Sequence, residues 1–172
     1  MMGHIGLWIT QFRGRNHGTL LSMSFQNLAP TWTTQPLSDP ALATDVVDLM
    51  VSLGERQRGT FTAVLCDPDD RYIATVAIDL PSEFEDLEPS LQTDDVCNTA
   101  LSPIIPALRT TPGAALILAL GRPGPAFWPD LDTEWAEAAT HICEAAEVRL
   151  LGFYIASAAH IYRPAVRTQA AA

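Results

Sequence analysis

Apolar and polar positions alternate along this chain with two different periods, and the switches between them mark out its elements. Leu42, Val46, Leu49, Met50 and Leu53 recur at three- and four-residue intervals, which is one stripe of an amphipathic helix. Ser38 or Asp39 can cap that helix, Pro40 suits its first turn, and Gly54 suits its end. Phe61 to Cys66 and Tyr72 to Ile78 are β-rich runs around Asp67-Pro68-Asp69-Asp70-Arg71, and proline at the second turn position predicts a hairpin. A broken helix is expected next, with one piece before Ser102, a fresh start at Ser102-Pro103 and an end near Thr110; Pro106 keeps it short or kinked.

The unbroken apolar run Ala114 to Leu120 predicts a strand buried on both faces. Gly121 to Pro129 is a Pro/Gly-rich loop, after which the strongest helix of the chain begins. Asp130 or Asp132 is its expected cap, and Trp135, Ala138, Ala139, Ile142, Ala145 and Ala146 its expected buried face. Arg149 to Ala156 predicts another strand, and His160 to Arg163 a short last one. The order α-β-β-α-β-α-β predicts an α/β fold: a mixed sheet of about four to six strands flanked by helices.

Domain organisation follows from the same pattern. Residues 1–38 are weakly patterned, with an edge strand available between Ile5 and Phe12; residues 39–163 form one α/β domain; residues 164–172 read as a flexible tail. Met23 offers an alternative start that would make residues 1–22 an extension of the reading frame. Residues 79–95 hold Asp79, Glu83, Glu85, Asp86, Glu88, Asp94 and Asp95 without a base, which reads as a solvated connection or a surface for a basic partner.

Composition narrows the chemistry. Twenty acids against ten bases give a net charge of −10, and all ten bases are arginine. An acidic domain is a poor partner for nucleic acid, because phosphate neutralisation supplies most of that affinity. The absence of lysine excludes a Walker-type phosphate loop, a Schiff base and a lysine general base. No apolar run reaches the length of a membrane span, and the short run Ile5 to Ile9 lacks the features of a signal peptide. Cys66, Cys97 and Cys143 are far apart and without a Cys-x-x-Cys, as expected of buried thiols in a reducing cytoplasm.

Catalytic candidates are scarce. His141 and Cys143 stand two apart on one helix and point to different sides, and His160 near Tyr162 has no nucleophile beside it. No Gly-x-Ser-x-Gly elbow is present. Pro123 and Pro125 make the loop at 121–125 a poor phosphate cradle, because proline offers no backbone donor. Arg122 can hold a carboxylate or phosphate bidentately, or pair internally with Asp130 or Asp132. Phe127 and Trp128 either form a contact patch or cap the core.

Residues 61–156 resemble the JAB/MPN metallohydrolase fold, in particular its bacterial RadC-like branch, which implies layers like those of the cytidine deaminase and JAB folds; the chain is equally similar to uncharacterised bacterial α/β proteins with no assigned activity. The likeness rests on Cys66-Asp67 through Tyr72-Ile73-Ala74, on Ala114 to Ala119, on Pro123 and Pro129, and on Glu144-Ala145-Ala146 followed by Arg149-Leu150-Leu151-Gly152. The resemblance implies a zinc signature of two histidines, a serine and an aspartate, but those positions hold Leu120, Arg122, Asp130 and Thr133. The catalytic glutamate it implies would fall near Val76 or Ala77. The expected protein is therefore a non-catalytic domain of unknown biological role, without metal or cofactor. It acts through an unidentified protein partner or through self-association, and the loop residues Arg122, Phe127, Trp128, Asp130 and Asp132 are the candidate contacts. The alternative is a small-molecule or anion-binding domain, or a metal-free enzyme, using Arg122 with Arg149 or Arg71.

Overall fold

The computed structural model describes residues 7–9, 24–80 and 92–167. Most of the acidic connection (81–91), the end of the tail (168–172) and most of the first 23 residues lie outside the described residues. The described elements are β1 (Leu7–Ile9), α1 (Pro40–Met50), α2 (Leu53–Arg58), β2 (Thr60–Cys66), β3 (Tyr72–Asp79), α3 (Gln92–Leu101), α4 (Ile104–Arg109), β4 (Ala115–Gly121), α5 (Pro129–Ala145), β5 (Arg149–Ala156) and β6 (Ile161–Tyr162).

The fold is α/β, a mixed six-stranded sheet in the order β1-β3-β2-β4-β5-β6. Every neighbouring pair is antiparallel except β4 and β5, which are parallel and joined by the crossover through α5. Strand β4 is buried along its whole length. Its Leu116, Leu118 and Leu120 pack with Phe61, Trp135 and Phe153 on the face covered by α3, α4 and α5. Its Ala115, Ile117 and Ala119 pack with Val46, Val47 and Tyr154 beneath α1 on the other face. An uninterrupted apolar run is the pattern of a strand covered on both sides.

Turn chemistry sets the connections. Between β2 and β3 the Asp67 carboxylate accepts the N–H groups of Asp69 and Arg71, both at 2.9 Å, and Asp70 adopts a φ of 64°. Asp39 caps α1 by accepting the N–H of Ala41. Gly54 does not end that helix. The chain leaves helical geometry at Val51 and restarts at Ser52, which forms a capping box with Glu55, so Gly54 lies inside α2. The helix expected to be broken does divide into α3 and α4 around Ser102-Pro103.

Two segments are more built-in than their composition suggests. Trp32 and Leu37 are buried in the α1 face, and the Leu37 N–H reaches the Asp70 carbonyl. Pro164 and Val166 line a groove with α5, and the Arg167 N–H donates to Glu137. On α5 the buried face runs through Asp132, Trp135, Ala136, Ala138, Ala139 and Cys143; Ala145, expected inside, is exposed. Two positions past the buried Cys143, Ala145 lies on the other side of the helix and faces outward.

Candidate functional site

Strands β4 and β5 end together, Gly121 beside Ala156. In open α/β sheets this carboxyl edge is the usual place for a ligand. Gly121 is required here, since a Cβ would stand 2.8 Å from Val51 Cγ1. The backbone N–H of Arg122 then donates to the Ala156 carbonyl, carrying the pairing one residue past the strand.

The Arg122 side chain turns inward and is fully buried. Its Nε and Nη2 each donate at 2.6 Å to the two oxygens of Asp132, a bidentate fork whose side chains have no exposed surface. Its Nη1 donates to the carbonyls of Pro123 and Pro125, at 3.2 and 2.7 Å. The proline loop therefore wraps acceptors around a buried cation, and Gly124, at a φ of 94°, makes the bend between them. The Asp132 carboxylate also accepts the Trp128 N–H and the Tyr162 hydroxyl. Trp128 is the N-cap residue with Pro129 at the first helical position, and neither Asp130 nor Asp132 takes the N-cap place. Asp132 instead reaches back from inside the first turn to satisfy the cap N–H, while Asp130 is exposed. Burial and the Asp132 carboxylate push the Tyr162 phenol up to about 12, against a smaller opposite pull from Arg122.

Over this network lies a cluster of rings. Phe127 is 56% exposed and Trp128 47% exposed. The Phe127 ring sits 5.1 Å from His160 and 4.9 Å from Tyr162, and His160 lies nearly parallel to Tyr162. Trp128 packs over the Arg122 guanidinium at 6.0 Å. His160 is delivered by a tight turn after β5, in which the Ser157 hydroxyl donates to the His160 carbonyl and accepts its N–H.

A second buried pair seals the same edge from the other face. Arg56 Nη2 donates to Asp48 Oδ1 at 2.7 Å, its Nε to the Val51 carbonyl, and its Nη1 to the Ser157 carbonyl. The turn that carries His160 is thus held by Arg122 at Ala156 and by Arg56 at Ser157.

The loop residues singled out by sequence separate into two groups. Phe127, Trp128 and Asp130 are exposed; Phe127 joins His160 and Tyr162 in one ring cluster, and Trp128, next to it in the chain, lies over Arg122. Arg122 and Asp132 are interior and each charge is satisfied by the other, the internal pairing that the sequence offered beside a ligand or partner contact. Arg71 and Arg149 belong to the opposite end of the sheet, where Arg149 pairs with Asp70. Of the positions that the metallohydrolase resemblance would use, Leu120 is in the core, Thr133 half-buried and Asp130 on the surface. Among the described residues no group of three or more histidines, cysteines or acids is placed to share a metal ion. The three cysteines are buried and unpaired, and burial foremost raises each thiol, Cys66 and Cys97 to about 12 and Cys143 to about 11. Among the described residues no helix is long and apolar enough to cross a membrane.

Sequence reasoning missed the Asp48–Arg56 pair. Ser52-x-x-Glu55 was the available signal, since a capping box there restarts the helix and turns Arg56 back toward α1. Nothing local marks Tyr162 as the partner of Asp132 across thirty positions of sequence. No protein-family model, no curated protein and no solved structure matches this chain.

Proposed function

We propose that this chain is a non-catalytic cytoplasmic α/β domain on a degenerate metallohydrolase-like frame, acting through protein–protein contact at the ring cluster of Phe127, Trp128, His160 and Tyr162. The observation that carries the reading is the pairing of exposed rings with a rigid base. Phe127 and Trp128 stand half in solvent above a charge network in which the Asp132 carboxylate accepts four hydrogen bonds. Rigid aromatic anchors give contact energy at low entropic cost, and exposed apolar clusters mark interaction sites. The groups nearest this surface are already engaged structurally: the Ser157 hydroxyl in its turn, Asp132 with Arg122. That favours contact over chemistry. Anion binding by Arg122 loses its residue, because the guanidinium is buried and makes four hydrogen bonds of its own.

The test is a comparison of the wild type with a Phe127→Ser, Trp128→Ser double variant, after thermal melts establish that both are folded. Affinity capture from the source cells and sedimentation velocity are run side by side. The reading expects a specific partner, or a second copy, that the wild type holds and the variant releases. Equal retention by both proteins would remove the ring cluster from the role.

A further inference from the structure

The exposed rings sit in one-sided charge surroundings. The arginine closest to them in sequence, Arg122, is wholly buried and neutralised by Asp132. Trp128 lies over that guanidinium and keeps 47% of its own surface in solvent, while Phe127 keeps 56%. From Trp128 the helix α5 leads away with Asp130, Glu134, Glu137 and Glu144 at intervals of four, three and seven positions. That spacing puts all four on one helix face, roughly 20 Å from first to last at 1.5 Å per residue. The face lies away from Trp135, Ala139 and Cys143, which α5 buries.

Nothing on α5 balances these acids, because the helix holds no arginine or lysine. Among the described residues none of the four takes part in an ion pair. Arg167 meets them through its backbone N–H, which donates to Glu137 at 3.3 Å. Like charges three and four positions apart repel along a helix, and Asp130, Glu134 and Glu137 have that spacing. A positive chain laid along the face would remove the repulsion.

We propose that the exposed rings dock an arginine-bearing segment of another protein. One guanidinium stacks on the outer face of Trp128, and those that follow lie over Asp130, Glu134 and Glu137. The proposal rests on the rings being the contact surface, and it decides between the occupants which that reading leaves open. A second copy brings a net charge of −10 and the same unpaired acids, so charge opposes it. Arginine fits better than lysine, because one planar group both stacks on an indole and forks to a carboxylate.

Fluorescence polarisation tests the assignment with a labelled peptide of alternating arginine and glycine, and with its glutamate counterpart. The wild type should bind the arginine peptide saturably and leave the glutamate peptide free, and its affinity should fall as salt rises. Phe127→Ser with Trp128→Ser should weaken binding about tenfold or more, the loss expected of aromatic anchors. Asp130→Asn with Glu134→Gln should weaken it about fivefold, the sum of two exposed ion pairs. The charge-matched control is Asp45→Asn with Asp69→Asn, on α1 and in the β2–β3 turn, which should bind as the wild type does. Equal weakening by that control would reduce the effect to net charge and overturn the site. Arginine-peptide binding that survives loss of the rings would overturn it too. Ring-dependent capture or self-association without binding of the arginine peptide would overturn this proposal and leave the rings as a contact surface.

Discussion

The two ends of the sheet use the same residue pair, arginine with aspartate, in opposite ways. Where β4 and β5 finish, Arg122–Asp132 on one face and Arg56–Asp48 on the other are almost wholly out of water. Where β5 begins, Arg149–Asp70 ties the hairpin tip to the strand with the arginine side chain 48% exposed. Distance does not separate them, since all three pairs lie between 2.5 and 2.7 Å. Desolvation does. A buried pair has surrendered its hydration and survives only if every lone pair and N–H is matched, so losing one partner strands a charge in the interior. An exposed pair exchanges water for its partner at little net gain. The carboxyl edge is therefore held in one arrangement, and the ring cluster rests on that edge.

The sharpest way to break the comparison is Asp132→Ala. It leaves the Arg122 guanidinium buried without its counter-charge, the Trp128 N–H without its cap and the Tyr162 hydroxyl without its acceptor. The expected loss is about 3–5 kcal/mol by urea denaturation. A double replacement, Arg122→Met with Asp132→Leu, should recover much of that loss, because it removes both charges together. Asp48→Ala strands Arg56 in the same way, but it removes one bond from that guanidinium where Asp132→Ala removes two, so the expected loss is smaller, about 3 kcal/mol. A cost below about 1 kcal/mol for either single variant would put these pairs in the class of the exposed one.

Tyr162→Phe sharpens the same end by removing one hydrogen bond to a charged acceptor, an expected loss of about 1.5–3 kcal/mol. It also predicts a pH signature. The phenol rises from 10.0 to about 12, so the folded protein holds this proton more tightly than the unfolded chain does. The resulting stability is fully present below about pH 10 and is lost as pH rises toward 12. The raised thiols add their own decline from about pH 9 upward, so the measurement is the difference between wild type and Tyr162→Phe in alkaline urea titrations. Parallel curves for the two proteins between pH 10 and 12 would refute the coupling of Tyr162 to Asp132.

What sequence made legible follows the range of the interactions. Asp39 before Pro40, the turn Asp67-Pro68-Asp69-Asp70, Ser102-Pro103 and the apolar run ahead of Gly121 act on near neighbours, and the elements they announce are present. Arg122 pairs with one of the two acids named for it, ten positions away, because the loop and first helical turn can return only a short distance. The rest depended on topology. Tyr162 meets Asp132, and His160 meets Phe127, only because α5 carries the chain back to place β5 and β6 beside β4. The capping box at Ser52 was local and readable, yet the helical stripe through Leu53 overrode it.

The smallest effect is expected at the opposite end, and it completes the comparison. Arg149→Ala removes the ion pair with Asp70 and the bond from Arg149 Nε to the Gly113 carbonyl, which is 3.1 Å long. Water can take over both partners there, so the loss should lie within about 1 kcal/mol. Its salt response distinguishes it further. At 1 M salt the Debye length falls to about 3 Å, and whatever the exposed pair contributes should largely vanish, whereas the cost of Asp132→Ala should stay nearly unchanged. Urea denaturation of both variants at low and high salt gives the contrast directly. An Arg149→Ala cost that matches Asp132→Ala and ignores salt would mean that burial is not what sets the two ends of this sheet apart.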